Sequence, residues 1–289
     1  MPVLTTASAR TASITGAGSG LGRDIALGLA SKGYKVFGTA ISLEEVNDLN
    51  QASGGRVSLA VCDITAEHAV KAWAANVAET LSETGLDLLI SNAGVLTPGP
   101  IETLGLDAIK REFDVNVFGA LSVINAFLPA LRKARGRIVQ VSTWTASLPL
   151  PFNGPSGASK AAMEVFAEVY RGELKRFGID VVVAVAGNMR TGGPAKTAAA
   201  LARIAERMTA QERDLYGQTF DTFAAKLNSM QGNGLASGDA AKRIIELSEQ
   251  NPAPRFAPVG QDAEDILRAV REQSADEQDA LRLQIIGLE

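Results

Sequence analysis

The chain is poor in cysteine and histidine, and both shortages exclude classes of protein. Cys62 is the only cysteine among 289 residues, so no intrachain disulfide can form, which fits a reducing compartment. His68 is the only histidine and lies in an ordinary helix pattern, with Thr65 as the expected N-cap. A Ser-His-Asp hydrolase or a histidine-ligated zinc site would depend on His68, and the sequence has no G-x-S-x-G motif. Those classes are excluded, and no metal site is predicted.

Long apolar runs and blocks of basic residues are also missing. The longest apolar stretch, VVVAVAG from Val181, is too short to cross a bilayer, and the N-terminus has no signal pattern. The net charge is −4 and the basic residues are dispersed, which argues against nucleic acid or an anionic membrane as a partner. We therefore expect a cytoplasmic protein without either partner.

Apolar strand patterns alternate with helix patterns along most of the chain. The predicted strands are 11–15, 36–39, 57–61, 86–90, 137–141, 179–186 and 255–260. The predicted helices between them are 21–32, 43–51, 65–83, 106–133 and 157–177. Continuous apolar strands are typical of a parallel sheet covered by helices on both faces. The sequence predicts one α/β domain over residues 1–289, a Rossmann-like doubly wound parallel sheet of about seven strands.

One segment interrupts this alternation. Residues 190–235 read as a helix-rich insertion without a strand, and we expect this insertion to help bind the substrate. No internal repeat or linker divides the chain.

The segment ITGAGSGLG follows the first predicted strand and opens the first helix. Gly16, Gly20 and Gly22 let the backbone approach a pyrophosphate at the helix N-terminus, where amide donors and the helix dipole favour negative charge. This context, with a strand before and a helix after, predicts a dinucleotide-binding loop.

The glycine spacing, T-G-x-x-x-G-x-G, resembles that of the short-chain dehydrogenase/reductase family, and further motifs follow in the family's order. Asp63 resembles its adenine-contacting aspartate, and SNAGV contains its N-A-G turn. DVNVFG places Asn116 at the position of its catalytic-site asparagine. VAVAGNMRT resembles the segment that brackets the nicotinamide, with Ala186 in place of a proline. The resemblance covers about residues 8 to 260 and is strongest to the branch that acts on steroids, retinoids and other apolar alcohols or ketones.

The resemblance implies a nicotinamide cofactor. The residues implied to bind it are Gly16, Gly18, Ser19, Gly20, Leu21, Gly22, Ile41, Asp63, Ile64, Asn92, Ala93, Gly94, Lys160, Gly187, Met189 and Thr191. An acidic residue after the second strand would favour NAD, and a basic one would favour NADP. Ala40 and Ile41 stand there, and Ser19 is uncharged too. The missing acid leaves room for a 2′-phosphate, so NADP is slightly preferred over NAD.

The implied catalytic residues depart from the family pattern at one position. They are Asn116, Ser142, Thr143, Ser156 and Lys160. In the family a tyrosine stands one helical turn before the lysine, whose charge lowers the phenol's pKa. Here that position holds Ser156, as a natural change or a deliberate substitution. Thr143, thirteen residues earlier, keeps the hydroxyl that orients the substrate carbonyl, with Ser142 beside it.

These residues predict an oxidoreductase that transfers a hydride between a nicotinamide and an apolar secondary alcohol, ketone or aldehyde, impaired by Ser156. A ligand-binding protein, or a cyclase, isomerase or dehydratase on the same scaffold, remains open. The candidates for an apolar substrate pocket are Trp144, Leu148, Phe152, Tyr216 and Phe220, although ordinary core packing explains them equally well. The resemblance also implies a homodimer or homotetramer formed through the helices 106–133 and 157–177.

Overall fold

The apolar runs form one parallel sheet, as predicted. The computed structural model describes residues 9–190 and 193–288. Its strands are β1 (Thr11–Ile14), β2 (Lys35–Ala40), β3 (Val57–Val61), β4 (Leu88–Ser91), β5 (Arg137–Thr143), β6 (Asp180–Ala186), β7 (Met189–Arg190), β8 (Leu235–Ala236) and β9 (Phe256–Val259). All but β7 and β8 belong to the main sheet, and those two short strands pair with each other.

Helices fill the connections between the strands. They are α1 (Gly20–Ser31), α2 (Leu43–Ser53), α3 (Glu67–Leu81), α4 (Leu106–Phe113), α5 (Ala120–Ala134), α6 (Gly154–Leu174), α7 (Gly193–Arg207), α8 (Ala210–Gly232), α9 (Ser237–Glu249), α10 (Gln261–Glu272) and α11 (Ala275–Ile286). A π-helical turn, Asp114–Gly119, joins α4 to α5.

The strand order creates a crevice beside β1. The order is β3-β2-β1-β4-β5-β6-β9, and every neighbouring pair is parallel. The chain winds outward from β1 to β3 and then starts the other half of the sheet at β4. The crossovers after β1 and β4 therefore leave in opposite directions, which opens a crevice at the carboxyl ends of these strands.

Both faces of the sheet are buried, and β6 shows this most clearly. Val181, Val183 and Val185 belong to one apolar core, and Val182, Ala184 and Ala186 belong to the other. The first core also contains Trp73 of α3 and Phe127 of α5, whose rings meet edge to face at 4.7 Å. The second contains Ile25 of α1 and Ile244 of α9. Burial on two faces explains why the strands are continuous apolar runs rather than alternating ones.

Some predicted helix boundaries were wrong. Thr65 does not cap α3, because its backbone N–H and hydroxyl both donate to the Asp63 carboxylate, and Ala66 takes the N-cap position. The predicted helix 106–133 contains the π-helical turn around Asn116, whose side chain bonds to a neighbouring loop. The helix predicted from residue 157 begins at Gly154, so Ser156 lies inside the first turn of α6.

The segment 190–235 is helical, but it is not free of strands as predicted. The short strands β7 and β8 pair at its two ends, with Met189 opposite Leu235. A hydrogen bond from the Leu235 N–H to the Asn188 carbonyl continues this pairing. The ends of the helical segment are therefore held together by backbone hydrogen bonds.

Among the described residues, the stretch 106–134 is the one helical region long and apolar enough to span a membrane by length and composition. Half of its most apolar window is buried inside the fold. Val123, Phe127 and Leu131 supply much of that burial in the first core.

Replacing Leu131 with alanine is expected to lower the free energy of unfolding by about 2–5 kcal/mol, because this fully buried side chain leaves a cavity in a close-packed core. The matched change Leu106→Ala, at a leucine that is 71% exposed, is expected to cost less than about 0.5 kcal/mol. Urea unfolding followed by circular dichroism measures both. Equal effects of the two substitutions would contradict this core.

Candidate active site

A cleft of about 640 Å³ lies over the carboxyl edge of the sheet, at the crevice beside β1. It is lined by these predicted cofactor residues: Gly16, Gly18, Ser19, Leu21, Gly22, Ile41, Asp63, Ile64, Asn92, Ala93, Gly94, Lys160, Gly187 and Met189. Gly20 begins α1 without lining the cleft, and Thr191 lies outside the described residues. The topology thus brings together nearly all of the positions that the sequence motifs indicate.

The glycine loop is shaped for close approach of a ligand to backbone. Gly16 has φ +65, a conformation that favours glycine. A Cβ at Gly22 would lie 2.2 Å from the Gly16 carbonyl oxygen. Ser19 is the N-cap of α1, but among the described residues its side chain makes no capping bond. The first amides of α1 are therefore left for an anion, so the loop fits a pyrophosphate.

Two threonines that sequence analysis missed hold this loop in place. The Thr39 hydroxyl accepts a hydrogen bond from the Gly16 N–H at 3.0 Å. The Thr15 hydroxyl accepts from the N–H groups of Asn92 and Ala93 at 2.9 and 3.0 Å. These bonds join the loop after β1 to the loop after β4 across the crevice. Their position, as polar residues at the ends of buried strands, could have indicated this role from the sequence.

The loop after β6 is fixed by Asp262, which was also missed. Its carboxylate accepts from the Asn188 N–H at 2.7 Å and from the Asn188 side-chain amide at 3.0 Å. A Cβ at Gly187 would lie 1.9 Å from this carboxylate, so only glycine fits there. Asp262 lies in the first turn of α10 and therefore links a distant helix to the cleft.

Lys160 lies where the cleft is deepest. Its ammonium donates to the Val141 carbonyl at 3.0 Å and approaches Gly94, where a Cβ would be 3.4 Å away. Burial lowers the pKa of Lys160 to about 8, and the nearby carboxyls of Glu112 and Glu164 oppose that shift. Enough of the charged form remains at neutral pH for Lys160 to bind an oxygen-rich group.

Asn116 lies in the π-helical turn and is almost completely buried. Its amide oxygen accepts from the Val95 N–H at 2.8 Å, and its Nδ2 donates to the Val95 carbonyl and to the Ser159 hydroxyl at 3.0 Å each. The side chain is therefore fully used within the protein. Its hydrogen bonds to Val95 and Ser159 hold the loop that contains Gly94 against α6.

Two carboxyls near Lys160, one fully buried and one partly buried, were not predicted. Glu112 is completely buried, and its Oε2 accepts from the Thr97 N–H at 2.7 Å. Glu164 accepts from the Ser142 hydroxyl at 2.5 Å. Burial raises the pKa of both carboxyls, that of Glu164 to about 7. Each lies one helical turn from a predicted residue, Asn116 or Lys160, and this spacing was the only signal in the sequence.

Ser142 and Thr143 differ in how their hydroxyls are used. The Ser142 hydroxyl bonds to Glu164, whereas Thr143 lines both the cleft and an adjoining pocket. Ser156 is buried and lines the same pocket together with Lys160. Thr143 and Lys160 thus line both the cleft and the pocket, and Ser156 lines the pocket alone.

The adjoining pocket has a volume of about 310 Å³ and is mostly apolar. Of the five predicted lining residues, only Trp144 lines it. Leu148 and Phe220 are fully buried, and Phe152 packs against Phe220 with ring centroids 5.8 Å apart. Tyr216 instead donates a hydrogen bond to Glu102.

The helical segment presents a different set of side chains to the pocket. They are Thr197, Phe223, Leu227, Met230 and Gln231. The last four follow the spacing of one face of α8, and Phe220 lies one turn earlier in the core behind them. Apolar spacing identified the helix, but it could not show which residues turn towards the cavity. Among residues 9–190 and 193–288 there is no acidic, histidine or cysteine cluster suited to a metal ion.

Sheets of this topology hold a dinucleotide where the strand order reverses, and the glycine cradle at that point fits one. The fold and the cleft thus define a class, the nicotinamide-dependent α/β oxidoreductases. A family model described as short chain dehydrogenase matches residues 10–202, and the chain belongs to the short-chain dehydrogenase/reductase family. It is an enzyme of the type that the sequence motifs indicate.

Similarity to individual proteins supports this assignment. The chain is 32% identical to short-chain dehydrogenase/reductase family 9C member 7 of Mus musculus, over 74% of this chain and 69% of the relative. It is 31% identical to retinol dehydrogenase 5 of Homo sapiens, over 85% and 79%. A Burkholderia cenocepacia short chain dehydrogenase solved in complex with NADP is 25% identical, with TM-score 0.70 and coverage of 96% and 97%. The expected resemblance to the steroid and retinol dehydrogenase branch is confirmed.

The partly buried carboxyl of Glu164 is expected to make the stability of the fold depend on pH. Its pKa is about 7 in the folded chain, against an ordinary value of 4.5. The folded state therefore binds this proton more tightly than the unfolded state does. The contribution of Glu164 to the free energy of unfolding is largest below pH 4.5 and is lost as pH rises through 7.

We expect Glu164→Gln to reduce the fall in the free energy of unfolding between pH 5 and pH 7.5. The reduction should be about 1–2 kcal/mol, less than the full shift implies because the side chain is partly exposed. Urea unfolding at several pH values measures this. Glu79→Gln, at an exposed glutamate of α3, is the control and should leave the slope unchanged. An unchanged slope in Glu164→Gln would show that Glu164 does not carry this proton.

Proposed function

We propose that this enzyme transfers a hydride between NAD(P) and an apolar secondary alcohol, ketone or aldehyde, and that Ser156 limits its rate. The proposal rests on Thr143 and Lys160, which line both the cleft and the apolar pocket, and on Ser156, which lines the pocket. In this proposal the substrate oxygen lies where the pocket opens into the cleft, near these three side chains. The bound nicotinamide would supply or accept the hydride.

Lys160 and Thr143 have separate roles in this proposal. Lys160 holds the cofactor's ribose hydroxyls, and its charge favours any negative oxygen that forms beside it. Thr143 donates its hydroxyl to the substrate oxygen and thereby orients the carbonyl. Asn116 keeps the loop of Gly94 against α6, so that the cleft and the pocket stay aligned.

Ser156 fails as the proton donor for two reasons. A serine hydroxyl lies close to the backbone and falls roughly 4 Å short of a phenol's reach by simple bond-length addition. It also forms no alkoxide near neutral pH without a strong base. A positioned acid or base contributes about 10²–10⁴ in rate, and this is the factor that the chain forgoes. Water or Thr143 then supplies the proton, and turnover is slow.

The pocket supports an apolar substrate. Trp144, Phe223, Leu227 and Met230 form its walls, and the Asn153 side chain adds a polar group. The segment 190–235 is in this proposal a substrate-binding insertion in a single domain, because five of its described residues line the pocket. The similarity to a protein named retinol dehydrogenase favours the same substrate class.

Loss of the phenol leaves a second function open. Ser156 is the observation that favours a ligand-binding protein, or a cyclase, isomerase or dehydratase, on the same scaffold. A binding protein retains cofactor without turnover, and a non-redox enzyme forms product without a change in nicotinamide absorbance. The buried charge of Lys160 at the cleft favours the oxidoreductase, because ribose binding gives that charge a use.

The proposed partner is a second copy of this chain in the cytoplasm. Phe118, Val165, Phe166 and Val169 are exposed on the paired helical region of α5 and α6. The Tyr170 hydroxyl donates to Asn125 at 2.7 Å, which ties the two helices into one surface. An exposed apolar patch of this kind marks a protein contact, and a homodimer or homotetramer through these helices covers it.

Ser156→Tyr is expected to raise turnover about a hundredfold or more, because the phenol restores a positioned acid beside Lys160. The assay follows loss of NADH or NADPH absorbance with a panel of apolar ketones and aldehydes. Ser156→Phe is the matched control, since it adds the ring without the hydroxyl, and it should not gain activity. Equal rates for the two variants would contradict a proton-donor role at this position.

Val165→Glu is expected to convert the oligomer into smaller species, because a charge in an apolar contact is left without a partner. Sedimentation velocity measures the change. Leu215→Glu alters a leucine on α8 that is about as exposed as Val165 and should leave the assembly intact. A wild-type chain that sediments as a monomer would rule out the α5–α6 interface.

A further inference from the structure

We propose that Glu45 selects the cofactor form, favouring NAD over NADP by occupying the site where a 2′-phosphate would lie. The inference rests on the proposed nicotinamide-dependent function and reverses the slight preference for NADP drawn from the sequence. The carboxylate comes from helix α2 instead of from the end of β2, where an acid is ordinarily sought.

The backbone around Glu45 directs its side chain back over the end of β2. Ser42 caps α2, and its hydroxyl accepts a hydrogen bond from the Glu45 N–H at 3.2 Å. The Glu45 Oε2 then accepts from the Ile41 N–H at 3.1 Å. Ile41 is the first residue after β2. The carboxylate is thus held at the carboxyl end of the second strand, although it originates four residues later.

Glu45 also lies against the glycine loop. It lines the cleft, and a Cβ at Gly18 would be 2.4 Å from the Glu45 Oε2 and 2.8 Å from its Cβ. The side chain therefore crosses the loop that would hold the pyrophosphate. In this fold the adenosine ribose binds between that loop and the end of β2, and an acid placed there accepts a hydrogen bond from a ribose hydroxyl.

The charges around Glu45 oppose a 2′-phosphate. Among the described residues that line the cleft, Glu45 and Asp63 are acidic, and the only cation is Lys160 beside the apolar pocket. The cation on the neighbouring face of α1, Arg23, is bound by Asp48 of α2 at 2.7 Å. The Nη1 of Arg23 is buried without a hydrogen-bond partner among the described residues, but Arg23 does not line the cleft. A phosphate would therefore meet negative charge with no cation among the described residues that line this end of the cleft, whereas a hydroxyl would meet a hydrogen-bond acceptor.

The positive end of α2 does not offset this repulsion. The N-terminal amides of a helix attract anions, and those of α2 lie beside the cleft. The Glu45 carboxylate already places a negative charge in the first turn, on the side that lines the cleft. The Glu45 amide is bonded to Ser42, and the Ile41 amide is bonded to the Glu45 side chain. Two of the amides at this end of the cleft, those of Ile41 and Glu45, are therefore already occupied.

A purely structural role for Glu45 makes a different prediction. If Glu45 only stabilised the start of α2, its replacement would lower stability and would weaken both cofactors equally. The ratio of the two dissociation constants separates selection of the cofactor from stabilisation of the helix. This ratio is independent of residue 156, so it can be measured whether or not the enzyme turns over.

The experiment is calorimetric titration of the full chain, and of Glu45→Gln and Glu44→Gln, with NADH and with NADPH. The wild type is expected to bind NADH at least about tenfold more tightly than NADPH, since a carboxylate beside a phosphate costs that much even with solvent screening. Glu45→Gln keeps the size of the side chain and should bring the ratio within about threefold of unity, mainly through tighter NADPH binding. Glu44→Gln alters the exposed neighbour and should keep the wild-type ratio.

The possible outcomes distinguish failure of the role of Glu45 from failure of the proposed nicotinamide-dependent function. Wild type that binds NADPH as tightly as NADH, or a ratio unchanged by Glu45→Gln, overturns the role of Glu45 and leaves the nicotinamide-dependent function standing. Failure of both dinucleotides to bind overturns the role of Glu45 and the proposed function together. A shift in the ratio confined to Glu45→Gln supports selection, even if no ketone or aldehyde is reduced.

Discussion

The site depends on one constraint, a lysine ammonium held out of bulk water at the carboxyl edge of the sheet. An unpaired charge in such a place is costly, and Lys160 is compensated by the Val141 carbonyl and by the nearby carboxyls of Glu112 and Glu164. These partners come from β5, α4 and α6. The need to surround one cation therefore fixes how three elements meet, and it also keeps two carboxyls inside the protein with raised pKa values.

The same hydrogen-bonded structure reaches across the crevice to the cofactor cradle. Asn116 holds Val95, and the preceding loop residues Asn92 and Ala93 bond to Thr15 at the end of β1. Gly94 passes between these anchors, where a Cβ would lie 3.1 Å from the Asn116 amide oxygen. The glycine loop and Lys160 are thus positioned by one continuous set of contacts. A cofactor bound at one end would be aligned with the pocket at the other without further rearrangement.

The features of the fold and the site that depend on local sequence pattern could be predicted from the sequence. The continuous apolar runs predicted the seven strands of the main sheet. The motif spacing pointed to the glycine loop and Asn92, which follow strand ends directly, and to Lys160, which lies in the second turn of α6. Sequence analysis missed Glu112 and Glu164, which read as surface residues on amphipathic helices. Whether such a side chain faces water or a buried cation depends on the packing of helices far apart in sequence.

The positions of the Glu45 side chain and of the pocket residues also could not be predicted from local sequence pattern. No charged residue stands at Ile41, where β2 ends. Nothing in the local sequence indicates that the Glu45 side chain, in the first turn of α2, reaches back to the end of that strand. In the segment 190–235 the aromatic residues were visible, but helix rotation decides which of them line a cavity. Phe220 and Phe223 both belong to the core, but of the two only Phe223, one turn later, also lines the pocket.

The electrostatics of the site are set without residue 156. The lowered pKa of Lys160 arises from burial and is moderated by two carboxyls, and none of these groups hydrogen-bonds to the Ser156 side chain in the part of the chain that the structure describes. With serine at this position, the free-energy cost of burying the ammonium is unchanged. The phenol whose pKa that charge would lower is absent. In the proposed function, what remains for the charge is the cofactor's ribose and any oxygen that becomes negative beside it. On that proposal the arrangement preserves cofactor binding, and proton transfer is the step that loses its donor.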